Sequence, residues 1–169
     1  SSMYGGSIRV FICHKKAKYK TNIKSIEKCK NLEGKYINKK HLLSFKKKIK
    51  YLSNSLNNVI RNLKRKNKTI HVYGASTKGN IILQYSRINK NYISFAADRN
   101  PLKWNRKMPG SNIPIISEKD SRSKRPDYYL VLPWHFKKEF IKREKKFLSR
   151  GGQLIFPLPK VKIISEKNI

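Results

Sequence analysis

The chain has 169 residues, of which 41 are Lys or Arg and nine are Asp or Glu, giving a net charge of +32 at neutral pH. That length suits one ordinary domain, and 38% hydrophobic with 11% aromatic residues is enough to bury a core, which excludes a disordered basic tail. No apolar run approaches the ~18 residues needed to cross a bilayer, and the N-terminus lacks the basic-then-apolar order of a secretion signal, so the chain reads as a soluble, cytoplasmic protein.

In chain order, Gly5-Gly6-Ser7 reads as a loop, and residues 8–13 (IRVFIC) read as a strand from their β-branched and aromatic content. Residues 14–38 are polar and Lys-rich with little periodicity, and are expected to form an irregular connection. A long helix follows: Leu42, Phe45, Ile49, Leu52, Leu56, Val59, Ile60 and Leu63 recur at threes and fours with Lys and Asn between them. That single apolar stripe fits packing against a sheet; the alternative is a coiled-coil seam. The run Lys46-Lys47-Lys48 reads as a solvated face of the same helix.

Beyond the helix the chain alternates. Residues 69–73 (TIHVY) predict a strand, 74–80 a Gly-rich turn, and 77–85 a helix. Strands are expected at 92–97, 113–116, 128–132 and 153–156, with a helix at 135–148 stopped by Gly151-Gly152. Ser117 is an N-cap candidate, and Pro157 and Pro159 close the last strand. Tyr73 and Tyr85 read as core, and His71, inside an apolar strand, as a buried and satisfied histidine. Strands alternating with helices predict an α/β fold: a mostly parallel, doubly wound sheet with helices on both faces, so three layers, and one long N-terminal helix. There is no internal repeat.

The turn GASTKG, between a strand and a helix, has the setting of a nucleotide-binding turn. There the first glycine permits the sharp turn, the last permits close helix–strand packing, and the helix N-terminus offers N–H groups to a phosphate. Ser76 stands where a dinucleotide-binding turn usually has a second glycine; Lys78 adds a charge beside the helix start. The lysine precedes the second glycine and Asn80 follows it, so this is not a P-loop. Asp98 lies 24 residues beyond Gly74 at the end of the next strand, where such folds hydrogen-bond a ribose; it also fits a loop cap. The two cysteines and four histidines are scattered, which supports neither a structural metal site nor a disulfide framework.

GGSIRVFICHK, YGASTKGN, ADRNPLKWNRKMPGSNIPI, LPWHF and GGQLIFPLP occur in this order across residues 5–164. In these segments the chain resembles the C-terminal domain of S-adenosylmethionine-dependent sugar C-methyltransferases, which act on nucleotide-linked keto-deoxysugars. The resemblance implies a Rossmann-like domain at residues 39–169 that helps to hold the nucleotide-sugar. Residues 1–38 would then be the tail end of a methyltransferase domain, with the strand after GGS closing that domain's sheet. It also implies nucleotide-sugar contacts from Gly74, Ser76, Lys78, Gly79 and Asn80 of the turn, from Asp98, Arg99 and Lys103, and from Trp134 and His135. Tyr4, before GGS, and His135 stand where the family favours His and Asn. S-adenosylmethionine, zinc and the catalytic residues belong to preceding domains of the family, so this chain is expected to bind no cofactor and to methylate nothing by itself.

The charge points elsewhere. No acid occurs between Glu33 and Asp98, and a surface of +32 attracts polyanions of any kind. The 31 Lys, 20 Ile and 15 Asn are what an A+T-rich coding sequence over-produces, which explains part of the basicity but not the scarcity of acids. The readings set against a nucleotide-sugar domain are a basic nucleic-acid-binding or scaffold module that kept the fold, and a half-assembly that recruits a separately encoded or excised methyltransferase domain.

Overall fold

The computed structural model describes residues 8–169; the Gly5-Gly6-Ser7 loop and Tyr4 lie outside the described residues. By internal contacts the chain divides into two units, one up to Ile49 and one from Lys50 to Ile169.

In the first unit, residues 8–13 form no strand. Phe11 and Ile12 are 86% and 92% exposed. The composition favours a strand, but a lone extended segment without a neighbouring strand leaves its backbone groups unpaired, so propensity alone does not make one. The stretch read as irregular instead contains helix α1, Ile23–Tyr36, capped by Asn22, whose side chain accepts from Ser25 N at 3.1 Å. No residue of α1 is buried.

Helix α2 spans Lys39–Arg65 and crosses the boundary between the units. Leu52, Leu56, Ile60 and Leu63 are buried, and the last three join a core cluster with strand residues, so this half of the stripe packs on the sheet. Leu42 and Phe45 of the same stripe are exposed, as is Lys46-Lys47-Lys48.

The second unit is built on a six-stranded sheet of order β3-β2-β1-β4-β5-β6. Its strands are β1 Ile70–Tyr73, β2 Phe95–Asp98, β3 Ile115–Ser117, β4 Tyr128–Val131, β5 Gln153–Phe156 and β6 Lys162–Ile164. The first five are parallel, with Val72 opposite Ala96 on one side and Leu130 on the other; β6 runs antiparallel to β5, with Ile164 opposite Leu154. Side chains alternate between two clusters. Ile70, Val72, Leu130 and Ile155 join Leu56 and Ile60 of α2 and Leu83 of helix α3, Thr77–Tyr85. Tyr73, Tyr129, Val131 and Leu154 join Phe140 and Leu148. A central strand apolar on both faces is what a parallel sheet requires, and YYLV in β4 is buried throughout.

Several elements differ from their sequence expectation. Asn89 turns the chain back, accepting from Tyr92 N and Ile93 N at 3.0 and 3.1 Å, so β2 begins only at Phe95. The helix expected at 135–148 is three pieces: a 3-10 turn Trp134–Phe136, helix α5 Lys137–Arg143 and helix α6 Lys145–Ser149. The break falls at Glu144, which is buried at φ −99°, ψ 25°. Strand β6 lies beyond Pro157 and Pro159, where the sequence reading stopped; three residues starting with an exposed Lys give no period-2 signal. Tyr73 is core, but Tyr85 is 55% exposed at the end of α3.

A candidate ligand cleft at the carboxyl ends of the parallel strands

The Gly-rich turn is organised largely by its own residues. Gly74 follows β1 at φ 88°, a conformation that favours glycine, and a Cβ there would strike Pro133 after β4. Ser76 caps α3, its hydroxyl accepting from Gly79 N at 3.1 Å. Gly79 permits the close helix–strand approach read from the sequence: a Cβ would lie 2.5 Å from Leu132 Cβ. Lys78 is exposed on the first turn of α3. Asn80 is half-buried, and its Oδ1 is sequestered with no hydrogen-bond partner among the described residues.

Asp98, at the end of β2, ties this turn to the next loop. Its Oδ2 accepts from Ala75 N at 2.8 Å and from Lys103 Nζ at 3.1 Å, and its Oδ1 accepts from Asn100 N at 2.9 Å. Lys103 Nζ also donates to Ala75 O at 2.9 Å, and Trp104 Nε1 to Asp98 O at 2.8 Å. The carboxylate thus serves as the loop cap weighed from the sequence, and Lys103 balances its charge.

A cleft of about 420 Å³ opens beside these residues. Tyr73 of β1 and Gly74 after it, Asp98 of β2 and Arg99 after it, Glu118 at the start of helix α4 (Glu118–Ser123) and Pro133 after β4 contribute to its wall. All of them stand at the carboxyl ends of parallel strands, where α/β sheets bind ligands. From α5 and the turn before it come Phe136, Glu139, Phe140 and Arg143. Of the ten residues singled out by sequence, Gly74, Asp98 and Arg99 meet in this lining, and Lys103 holds Asp98. Ser76, Lys78, Gly79 and Asn80 lie along the turn and α3, outside the lining. Trp134 packs half-buried against the second core cluster, with the exposed His135 ring edge-on to it at 5.5 Å.

Behind the cleft lies an ion network that the sequence reading missed. Glu144 is 3% exposed; its Oε1 accepts from Tyr73 OH at 2.8 Å and from Arg122 Nη2 at 2.6 Å, and its Oε2 from Arg122 Nε at 3.4 Å. Arg122 Nη2 also reaches Tyr73 OH at 2.6 Å and Glu118 Oε2 at 3.1 Å. Burial, then the bond to Glu144, pushes the Tyr73 phenol well above its usual range, so it stays a neutral donor. The bond to Glu144 likewise raises Arg122, which keeps its charge. Glu144 lies inside the stretch expected as one helix at 135–148, with Lys and Arg on both sides of it. The available signal was scarcity, since an acid kept among so many bases has many cations to pair with.

A family model described as the C-methyltransferase C-terminal domain matches residues 2–159. The C-methyltransferase NovU of Streptomyces niveus is 38% identical over 110 residues, which is 65% of this chain and 26% of that protein. The chain thus aligns with about a quarter of that relative's length.

Proposed function

The chain belongs to the C-methyltransferase C-terminal domain family, and from that premise we propose that it binds the nucleoside diphosphate of a nucleotide-linked keto-deoxysugar and presents the sugar ring to a methyltransferase domain. The observation that carries this reading is the position of the cleft: it opens at the carboxyl ends of β1, β2 and β4, with arginines and an apolar wall of Phe136 and Phe140 beside the Gly74 turn. Such a cleft suits a ligand with a charged end and a flat or apolar end. The strand order supports the finer fold reading, a Rossmann-like three-layer domain, because β3-β2-β1-β4-β5-β6 is the doubly wound order, with its switch point between β1 and β4.

Methylation of a carbon next to a ketone needs a base for the α-proton, a group to hold the enolate and a methyl donor. We assign S-adenosylmethionine, zinc and the base to preceding domains of the enzyme and locate the whole in the cytoplasm. Among the described residues no group of three or more His, Cys, Asp or Glu is placed to hold a metal. What this chain contributes is orientation: binding at the diphosphate fixes the ring that another domain alkylates.

A second reading has its own support. In the first unit Tyr19, Tyr36 and Phe45 are exposed and flanked by Lys18, Lys20, Lys35 and Lys46, a pattern suited to stacking and backbone contacts with single-stranded nucleic acid. Calorimetric titration with thymidine, uridine and guanosine diphosphates at two salt concentrations, beside a random single-stranded oligonucleotide, separates the two. The nucleotide-sugar reading expects one diphosphate to bind selectively by base and Arg99→Ala to weaken it. Base-indifferent oligonucleotide binding that collapses with salt, without selective nucleotide binding, sinks that reading in favour of the second.

A further inference from the structure

Two guanidiniums at the cleft meet on one carboxylate oxygen. Arg99 Nε donates to Glu118 Oε1 at 3.2 Å, and Arg143 Nη2 donates to the same atom at 3.4 Å. Both bonds are longer than the 2.7–2.9 Å typical of N⁺–H···O⁻ pairs. Arg99 follows β2 and is 67% exposed, while the Arg143 guanidinium also lies over the Phe140 and Tyr73 rings at 4.6 and 4.9 Å. Among the described residues Arg143 has one further carboxylate within 4 Å, Glu144 at 3.8 Å, and that acid is already held by Arg122 and Tyr73. Each guanidinium carries five N–H donors, so both retain donors for another acceptor.

We propose that Arg99 and Arg143 form an anion clamp in the cleft and that Glu118 is its internal occupant, displaced when a phosphate oxygen of the ligand takes the place of Oε1. Displacement does not strand the carboxylate, because Glu118 Oε2 keeps its bond to Arg122 at 3.1 Å. A diphosphate brings more acceptor oxygens than one carboxylate and matches the planar forks of two arginines. Glu118 therefore sets the affinity of the site: it holds the arginines in register when empty and opposes weak anions that cannot outcompete it. Naming the ligand as a diphosphate rests on the nucleotide-sugar reading; the clamp rests on the arginine geometry.

Titration with inorganic pyrophosphate and with thymidine diphosphate, on the wild-type chain and on Glu118→Gln, Arg143→Lys and Glu166→Gln variants, tests the clamp, with thermal unfolding of each variant as the check on folding. Glu118→Gln removes the competing charge and is expected to bind pyrophosphate about tenfold more tightly. Arg143→Lys keeps the charge and loses the fork, and is expected to bind about tenfold more weakly. Glu166→Gln, the same change of charge at an exposed residue outside the cleft lining, should match wild type. Unchanged or weaker pyrophosphate binding by folded Glu118→Gln overturns the proposal; so does unchanged binding by Arg143→Lys, which decides the matter if the Gln variant does not fold. Selective nucleoside diphosphate binding indifferent to both substitutions leaves the nucleotide-sugar reading intact and removes the clamp. Pyrophosphate binding that follows the clamp variants, without any base selectivity, does the reverse.

Discussion

His71 is the side chain whose environment makes the plainest demand on pH. It is 2% exposed, its Nδ1 is 2.8 Å from Ser121 Oγ, and that hydroxyl is 2.8 Å from Tyr129 OH. Burial, aided by the charge of Lys124, lowers its pKa to about 4 from the usual 6.5. The unfolded chain therefore takes up a proton as pH falls from 6.5 towards 4 while the folded chain does not. The stability that this neutral histidine confers is complete above about pH 6.5, is lost through that window and levels off below 4. Between pH 7 and 5 the loss should be about 2 kcal/mol, read as a drop in the urea midpoint that His71→Asn abolishes; equal drops in both proteins would show that other groups drive it. A histidine alone in an apolar strand was legible as a buried, satisfied residue. Its partner was not, because Ser121 lies 50 positions away, and nothing in a local pattern links the two.

At the scale of elements, α2 shows how one continuous stripe splits into two environments. Ile60 is fully buried in the cluster beneath the sheet, whereas Leu42, in the same phase, is 56% exposed. Ile60→Ala should cost roughly 2–5 kcal/mol, transfer and cavity together, and Leu42→Ala less than about 0.5. Urea unfolding of the two variants checks this: a comparable loss from Leu42→Ala would mean that the first half of the stripe is also covered in solution. The elements read most closely from sequence are those whose signals are local. Helix α3 runs from its Ser76 cap through Tyr85, and β5 is bounded by glycines and a proline as expected. What failed depended on partners far along the chain. Residues 8–13 have strand composition but no strand beside them among the described residues, β6 is specified by its pairing with β5, and the break at Glu144 is fixed by Tyr73, 71 positions away.

For the whole molecule the governing quantity is the imbalance of 41 bases against nine acids. The ion pairs of the described residues use four of those acids, Asp98, Glu118, Asp127 and Glu144, and two of these serve the cleft directly. The remaining bases, dispersed over the surface, repel one another, and folding draws them closer than the unfolded chain does. This was legible from composition alone; which acids are spared for pairing was not, since it depends on the strand order that gathers β1, β2 and β4 at one edge. Salt distinguishes the two contributions, because the Debye length shrinks from about 10 Å at 0.1 M towards 3 Å at 1 M and screens exposed pairs more than buried ones. Surface repulsion is exposed, while Glu144 is 3% exposed and its bond to Arg122 is short. Raising NaCl from 20 to 500 mM should therefore stabilise the fold by about 1 kcal/mol, or roughly 2–4 °C in Tm for a chain of this size. Thermal unfolding at the two concentrations reads it. A fall in Tm would mean that the exposed ion pairs, which salt weakens, hold the fold more strongly than the repulsion among the surface bases opposes it.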